Sequence, residues 1–437
     1  MRGIAGAVLA LALVPALLTG QERAIAFRGA RIMPVSGPAI ENGVLVVQGG
    51  KIVAVGAVAS VRIPDGAEIR DLKGKVIIPG LVDTHSHIGD GDGGDASAPI
   101  QGDVRVLDAI DVQSDNIRRA RAGGVTTVNI MPGSGHLMSG QTAYLKLRNG
   151  RTIGDLLYCA DPLTDICGGM KMANGTNPRG KPPWPGTRAK AAALVREKFL
   201  KAVEYRQKLE AAKTDSTKRP ERDLEMEALV QVLEGKRVVH FHTHRYDDIL
   251  TVLRLRKEFG FRVVLHHVSE GWKVAKEIAA AGVPCSVILI DSPGGKLEAM
   301  NMRMETAAIL DSAGVLVAFH TDDYITDSRF FLRSAALGVR AGLSRQRALE
   351  ALTIAGAKML DLQDRIGTLE PAKDADFAVL SGDPFSTYTH VEETWAGGER
   401  VFDRNNPEDR KYATGAFRLM RDNDAGHDDD EAPGGDR

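Results

Sequence analysis

The chain has 437 residues, 43% hydrophobic, 26% charged and 5% aromatic, a balance that excludes collagen-like, coiled-coil and wholly disordered classes. Lys plus Arg (56) against Asp plus Glu (57) leaves a net charge of −1 with no basic stripe among aromatics, so neither nucleic acid nor an anionic membrane is an expected partner. The length exceeds the roughly 250–300 residues at which one core stops growing, so a large domain with a smaller companion is expected.

Residues 1–22 open with Met1 and Arg2 and continue through an apolar run, 4–18, to Thr19-Gly20-Gln21. The run is shorter than the ~20 residues of a membrane span, and its order reads as a secretory signal peptide cleaved between about Gly20 and Ala24. The mature protein is therefore expected to be secreted or periplasmic, with no membrane attachment. Residues 24–80 alternate apolar and polar positions between glycines, in stretches such as 43–49, 51–56 and 75–79, which predicts a small antiparallel sheet.

After Pro79 the rhythm changes to apolar runs separated by helical stretches. The runs are 80–85, 125–131, 143–147, 169–173, 238–242, 263–267, 284–290 and 316–320. Helices are predicted at 113–122, stopped by Gly123-Gly124, at 247–259, stopped by Gly260, and at 344–362, capped by Ser344. Eight runs with helices between them fit an α/β fold, a (β/α)8 TIM barrel spanning 81–363. An insertion at 175–235, with helices at 188–212 and 224–233, is expected over one end of the barrel as a solvated decoration or a substrate lid. The strand pattern returns near Ile366, so 23–80 and 364–410 are expected to unite as a β-sandwich domain, and 420–437 is an acidic, solvated tail. Three cysteines make no disulfide framework, although Cys159 and Cys167 are a candidate pair in an exported protein, and Cys285 sits in an apolar run.

The histidines cluster at run ends: His85 and His87 in Asp83-Thr-His-Ser-His87, then His240, His242 and His244, then His266 and His267, then His320 close to Asp322. Residues two apart on a strand face the same side, so each cluster points into the C-terminal mouth where barrel enzymes keep their chemistry. Imidazole and carboxylate suit Zn²⁺ and similar divalent ions. HExxH and GxSxG are absent, which argues against a helix-borne metalloprotease and a serine hydrolase.

Pro79-Gly-Leu-Val-Asp-Thr-His-Ser-His87, the later histidines, Asp322 and the late stretch Gly367-Thr-Leu-Glu-Pro-Ala-Lys-Asp-Ala-Asp376 resemble the amidohydrolase superfamily, within it the imidazolonepropionase and prolidase-like branch. The resemblance implies a metal-dependent hydrolase of amide, dipeptide or cyclic-amide C–N bonds holding one or two divalent ions, zinc first. A deaminase or lactonase on the same scaffold, or a non-catalytic metal-binding module, are the alternatives. By the same resemblance His85 and His87 hold one metal, His242 and His267 are the further histidine ligands, and Asp322 is ligand and proton acceptor. Lys171 takes the place of a carboxylated lysine bridging two metals, or else contacts substrate as a cation. His240 and His244 compete with His242 for the ligand role. Among residues near the mouth, His244, Arg245 and Arg179 are candidates for binding substrate, a small molecule or dipeptide, and a homo-oligomer is compatible with the sequence.

Overall fold

A computed structural model describes residues 23–91, 93–288, 297–323 and 325–415; the leader and the acidic tail fall outside them. The N-terminal flank forms β1 (Ile25–Ile32), β2 (Ile40–Gln48), β3 (Lys51–Ala57), β4 (Glu68–Asp71) and β5 (Val76–Pro79). The central segment supplies β6 (Leu81–Ser86), β7 (Val125–Ile130), β8 (Met138–Gln141), β9 (Ala143–Lys146), β10 (Met170–Ala173), β11 (Val239–Thr243), β12 (Val263–His267), β13 (Cys285–Val287) and β14 (Val317–Phe319). The C-terminal flank adds β15 (Phe377–Leu380), β16 (Val391–Ala396) and β17 (Glu399–Asp403).

Hydrogen bonding joins both flanks in one eight-stranded sheet, ordered β17-β16-β15-β5-β1-β2-β3, with β4 on the first half of β1. The return of the chain is thus a direct pairing, Phe377 opposite Pro79 and Leu380 opposite Val76. Alternate residues of these strands meet in a separate core, where Phe27 stands edge-on to both Phe377 and Trp395 at 4.9 Å.

The central strands are buried along their whole length, as parallel strands covered by helices on one side and core on the other must be. They form two sheets, β6-β7-β9 and β14-β13-β12-β11-β10-β8, in the α/β arrangement of a TIM-type barrel. The predicted third run departs from that pattern. β9 pairs antiparallel with β7, and β8, one residue before it, pairs antiparallel with β10. One bent stretch therefore bridges the two sheets, where a parallel strand followed by a helix was expected. Among the described residues no strand ladder joins β14 to β6. There the Asp322 N–H donates to the His85 carbonyl (2.9 Å) and the Thr321 N–H to Asp83 Oδ1 (3.1 Å).

Two helical expectations are revised. The stretch 344–362 begins as predicted, with Ser344 Oγ accepting from the Arg347 N–H, but divides into helices Arg345–Ala351 and Ile354–Met359. The break falls where the Leu352 carbonyl accepts from the Val82 N–H of β6 and the Thr353 hydroxyl donates to Leu349 O, taking carbonyls from the helix ladder. The insertion helices Arg188–Ala212 and Leu224–Leu233 do not cap the barrel. They pack along its outside, with Phe199 stacked on Phe259 and Phe261 at 5.1 and 5.3 Å. Only the loop before them turns to the mouth, through Asn174 N–H on His242 O and Trp184 Nε1–H on Gly135 O. Cys159 and Cys167 are joined as a disulfide, and Cys285 is buried. No helix among the described residues is long and apolar enough to cross a membrane.

Candidate metal centre

β6 ends in Asp83-Thr-His-Ser, and its alternation sends His85 and His87 to the same side, with their Nε2 atoms 3.3 Å apart. Asp322, just beyond β14, places Oδ1 3.2 Å from His85 Nε2 and 3.1 Å from His87 Nε2. His87 Nδ1–H donates to the Met131 carbonyl at 2.9 Å, which can only accept, so a neutral His87 points its Nε2 lone pair at Asp322. Three acceptors then face one another. Their spacing matches the edge of a tetrahedron with metal–ligand bonds of about 2.0–2.2 Å, so the donor set fits a shared cation. Lys171, fully buried on β10, brings Nζ to 2.9 Å from His85 Nε2 and 3.6 Å from Met131 Sδ.

On β11 and β12 a second group assembles. His242, His244 and His267 each offer a nitrogen within 4.8 Å of the others, and the His242 and His267 rings are 4.4 Å apart. His267 Nδ1 lies 3.9 Å from Asp322 Oδ2, and its Nε2 is buried with no hydrogen-bond partner among the described residues, a second mark of a cation-binding pocket. His244 Nδ1 sits 2.7 Å from Ser269 Oγ.

Burial, then the neighbouring Lys171 and histidines, drive His85 well below its usual pKa. Burial takes His320 down to about 3. These rings are neutral, the form that ligates. Burial works to raise Asp322, its neighbours His87, His320 and Lys171 work to lower it, and the net direction is below the usual carboxylate range. Burial lifts Asp83 to about 7, although Thr321 and the His85 N–H donate to it. The backbone at His267 and Asp322 is left-handed, φ 69° and 49°, a conformation uncommon for non-glycine residues.

All six residues expected to bind metal therefore lie in one connected space. Of the substrate candidates, His244 joins that space, while Arg245 is held in a local pair with Asp247 at 2.9 Å. Arg179 lies in the mouth-side loop with its Nε buried and without a hydrogen bond among the described residues. Three further run-end histidines, His240, His266 and His320, lie outside the six expected ligands, although His240 competed with His242 for that role. His240 faces away from the ligands, between Tyr144 OH (2.8 Å) and His266 Nε2 (3.0 Å), and Gly169 leaves room for its ring, since a Cβ there would lie 2.3 Å from it. His320 completes the layer. Its signal was present in Phe-His-Thr-Asp-Asp323, but a lone strand-end histidine is not distinguishable from a structural one.

Residues 76–402 match the Amidohydrolase family. A crystal structure of an amidohydrolase from Thermotoga maritima is 37% identical, with a TM-score of 0.81, covering 87% of this chain and 100% of that one. The chain belongs to the amidohydrolase family. Amidohydrolase tasK of Hapsidospora irregularis is 27% identical over 78% of this chain, which spans only 38% of that longer protein. An imidazolonepropionase of Fusobacterium nucleatum is 23% identical over 83% of this chain and 92% of its own length. These matches agree with the imidazolonepropionase and prolidase-like branch of the amidohydrolases, metal-dependent hydrolases acting on C–N bonds.

Proposed function

We propose that this amidohydrolase is exported and hydrolyses an amide C–N bond in a dipeptide or cyclic amide, using one or two divalent ions, zinc first. The observation that carries the reading is convergence. Residues from β6, β10, β11 and β12, with Asp322 after β14, bring imidazole nitrogens, a carboxylate and a buried lysine into one space. In this reading His85, His87 and Asp322 would hold one ion and His242 and His267 a second, and Lys171, once carboxylated by CO₂, would supply a further anionic ligand. A bound divalent ion supplies a Lewis acid for the carbonyl and makes water nucleophilic at neutral pH. Asp322, ionised and 18% exposed, is the group positioned to take the proton of the attacking water and hand it to the leaving nitrogen. Arg179, whose buried Nε has no hydrogen-bond partner among the described residues, suits a substrate carboxylate better than Arg245, which Asp247 already neutralises. The Cys159–Cys167 disulfide and the leader support export.

A dipeptide and cyclic-amide library screened with metal-reconstituted protein tests the activity, with amines and lactones included to expose a deaminase or lactonase. Turnover only on amines or lactones overturns the amide reading. Lys171→Ala is expected to lower metal content by at least one ion per chain, and bicarbonate to speed reconstitution of the wild type. Unchanged content in Lys171→Ala would move the lysine to substrate contact. N-terminal sequencing of exported protein should begin between about Gly20 and Ala24.

A further inference from the structure

Beneath the ligands just described, His266 and His320 form a layer with His85, and of these three imidazoles the proposed chemistry uses only His85. One nitrogen from each of His85, His266 and His320 lies within 4.8 Å of the other two, and all three residues are fully or almost fully buried. His320 has Nδ1 2.8 Å from Ser286 Oγ, which lies 2.6 Å from the Thr84 hydroxyl. His266 has Nε2 3.0 Å from His240 Nδ1, which continues to Tyr144 OH. When those outer nitrogens donate, His266 Nδ1 and His320 Nε2 are left with lone pairs, the latter 3.2 Å from His267 Nδ1. One ring nitrogen anchored outward and the other turned inward is the arrangement of metal-ligating histidine. His266 Nδ1 and His85 Nδ1 are moreover buried with no hydrogen-bond partner among the described residues. Packing alone leaves these two nitrogens without partners in a desolvated space.

We propose that this floor is a further seat for a borderline-soft divalent ion of the Zn²⁺ or Co²⁺ class, held by His266 and His320 with His85 as an imidazolate shared with the centre above, its Nδ1 proton released to solvent as the ion enters. Small ring rotations would bring the three nitrogens to the usual 2.0–2.1 Å bond length. The inference is independent of the substrate, because it concerns stoichiometry at His266 and His320, to which the hydrolytic reading gives no part.

The test strips the mature, disulfide-bonded protein of metal, reloads it with Co²⁺, and measures cobalt per chain by mass spectrometry beside the visible absorption spectrum. His266→Gln and His320→Gln are each expected to bind one ion fewer than wild type, with the absorption of the remaining ions retained. His240→Gln, which removes only the outer partner, should keep the full count. Equal cobalt in wild type and both ligand variants overturns the proposal. Loss of every ion from a folded His320→Gln does so too, since that ring would then only position the ligands above it. If either variant fails to fold, anomalous diffraction from Co²⁺-loaded wild-type crystals decides. A peak bonded to His266 and His320 supports the floor seat, and metal confined to the upper ligands overturns it.

Discussion

Two buried polar clusters sit in the same barrel, and they are built on opposite principles. Lys146, on β9 and 3% exposed, meets Asp374 and Asp376 at 2.6 and 2.7 Å, and Lys51 and Arg365 close on Asp374 at 2.6 and 2.9 Å. Each charge there has an opposite neighbour, and the cluster ties the barrel to the flanking sheet. In the histidine centre, acceptors face acceptors, and Asp322 is the carboxylate among five imidazoles within reach of the ligand groups His85–His267–Asp322 and His242–His244–His267, with His87 beside them. The first cluster is complete as it stands. The second is complete only with added cations, which is why one reads as a clamp and the other as a reaction centre.

The comparison can be broken most severely at the ligands. His85→Ala or His87→Ala should remove the shared ion and activity together, measured as metal content and turnover, while the metal-free variant unfolds at nearly the temperature of metal-free wild type. Asp322→Asn should retain much of the metal while kcat falls by roughly 10²–10⁴, the ordinary value of a positioned proton-transfer group. A near-normal kcat there would remove Asp322 from the proton-accepting role.

The clamp should respond the other way. Lys146→Met strands the buried carboxylate of Asp376, while Asp374 keeps Lys51 and Arg365, and should cost about 3–5 kcal/mol of unfolding free energy in urea titrations, with metal per folded chain unchanged. An unshifted urea midpoint would mean that the cluster contributes nothing to stability. The smallest effect is on pH. Burial would raise Asp374, but Lys146, Lys51 and Arg365 hold it down at about 2, below its unfolded value. A depressed carboxylate stabilises the fold above its unfolded pKa, and this contribution is lost as pH falls from about 4 toward 2. Asp376, raised by burial, works in the opposite sense and blunts the trend. Urea midpoints at pH 4.5 and 2.5 should therefore converge in Lys51→Ala relative to wild type, and an unchanged difference would exclude Asp374 as the source.

The legibility of these two clusters from sequence differed for physical reasons. His85 and His87 could be assigned to one side because strand alternation is a local rule, and the run ends marked the mouth. Alternation also put His240, His242 and His244 on a common side but could not separate them by depth. That separation comes from Tyr144 and His266, which meet His240 across the interior. Lys146 and Asp374 are 228 residues apart and carry no periodic signal, so their pairing waits on the fold. The third strand was legible as apolar but not as antiparallel, because a short buried run has no directional mark. The predicted single helix from Ser344 failed at Thr353, where Val82 of β6 captures a helix carbonyl, a tertiary contact that no propensity records.

The left-handed backbones of His267 and Asp322 carry a consequence for the evolvability of the barrel. A non-glycine residue held there costs roughly 1–2 kcal/mol, while glycine adds about 0.5–1 kcal/mol of chain entropy to the unfolded state. Replacing Asp322 by glycine should therefore leave the metal-free chain as stable as the parent or more so. Drift under selection for stability alone would erode this position, and its acid persists only where turnover is the selected trait.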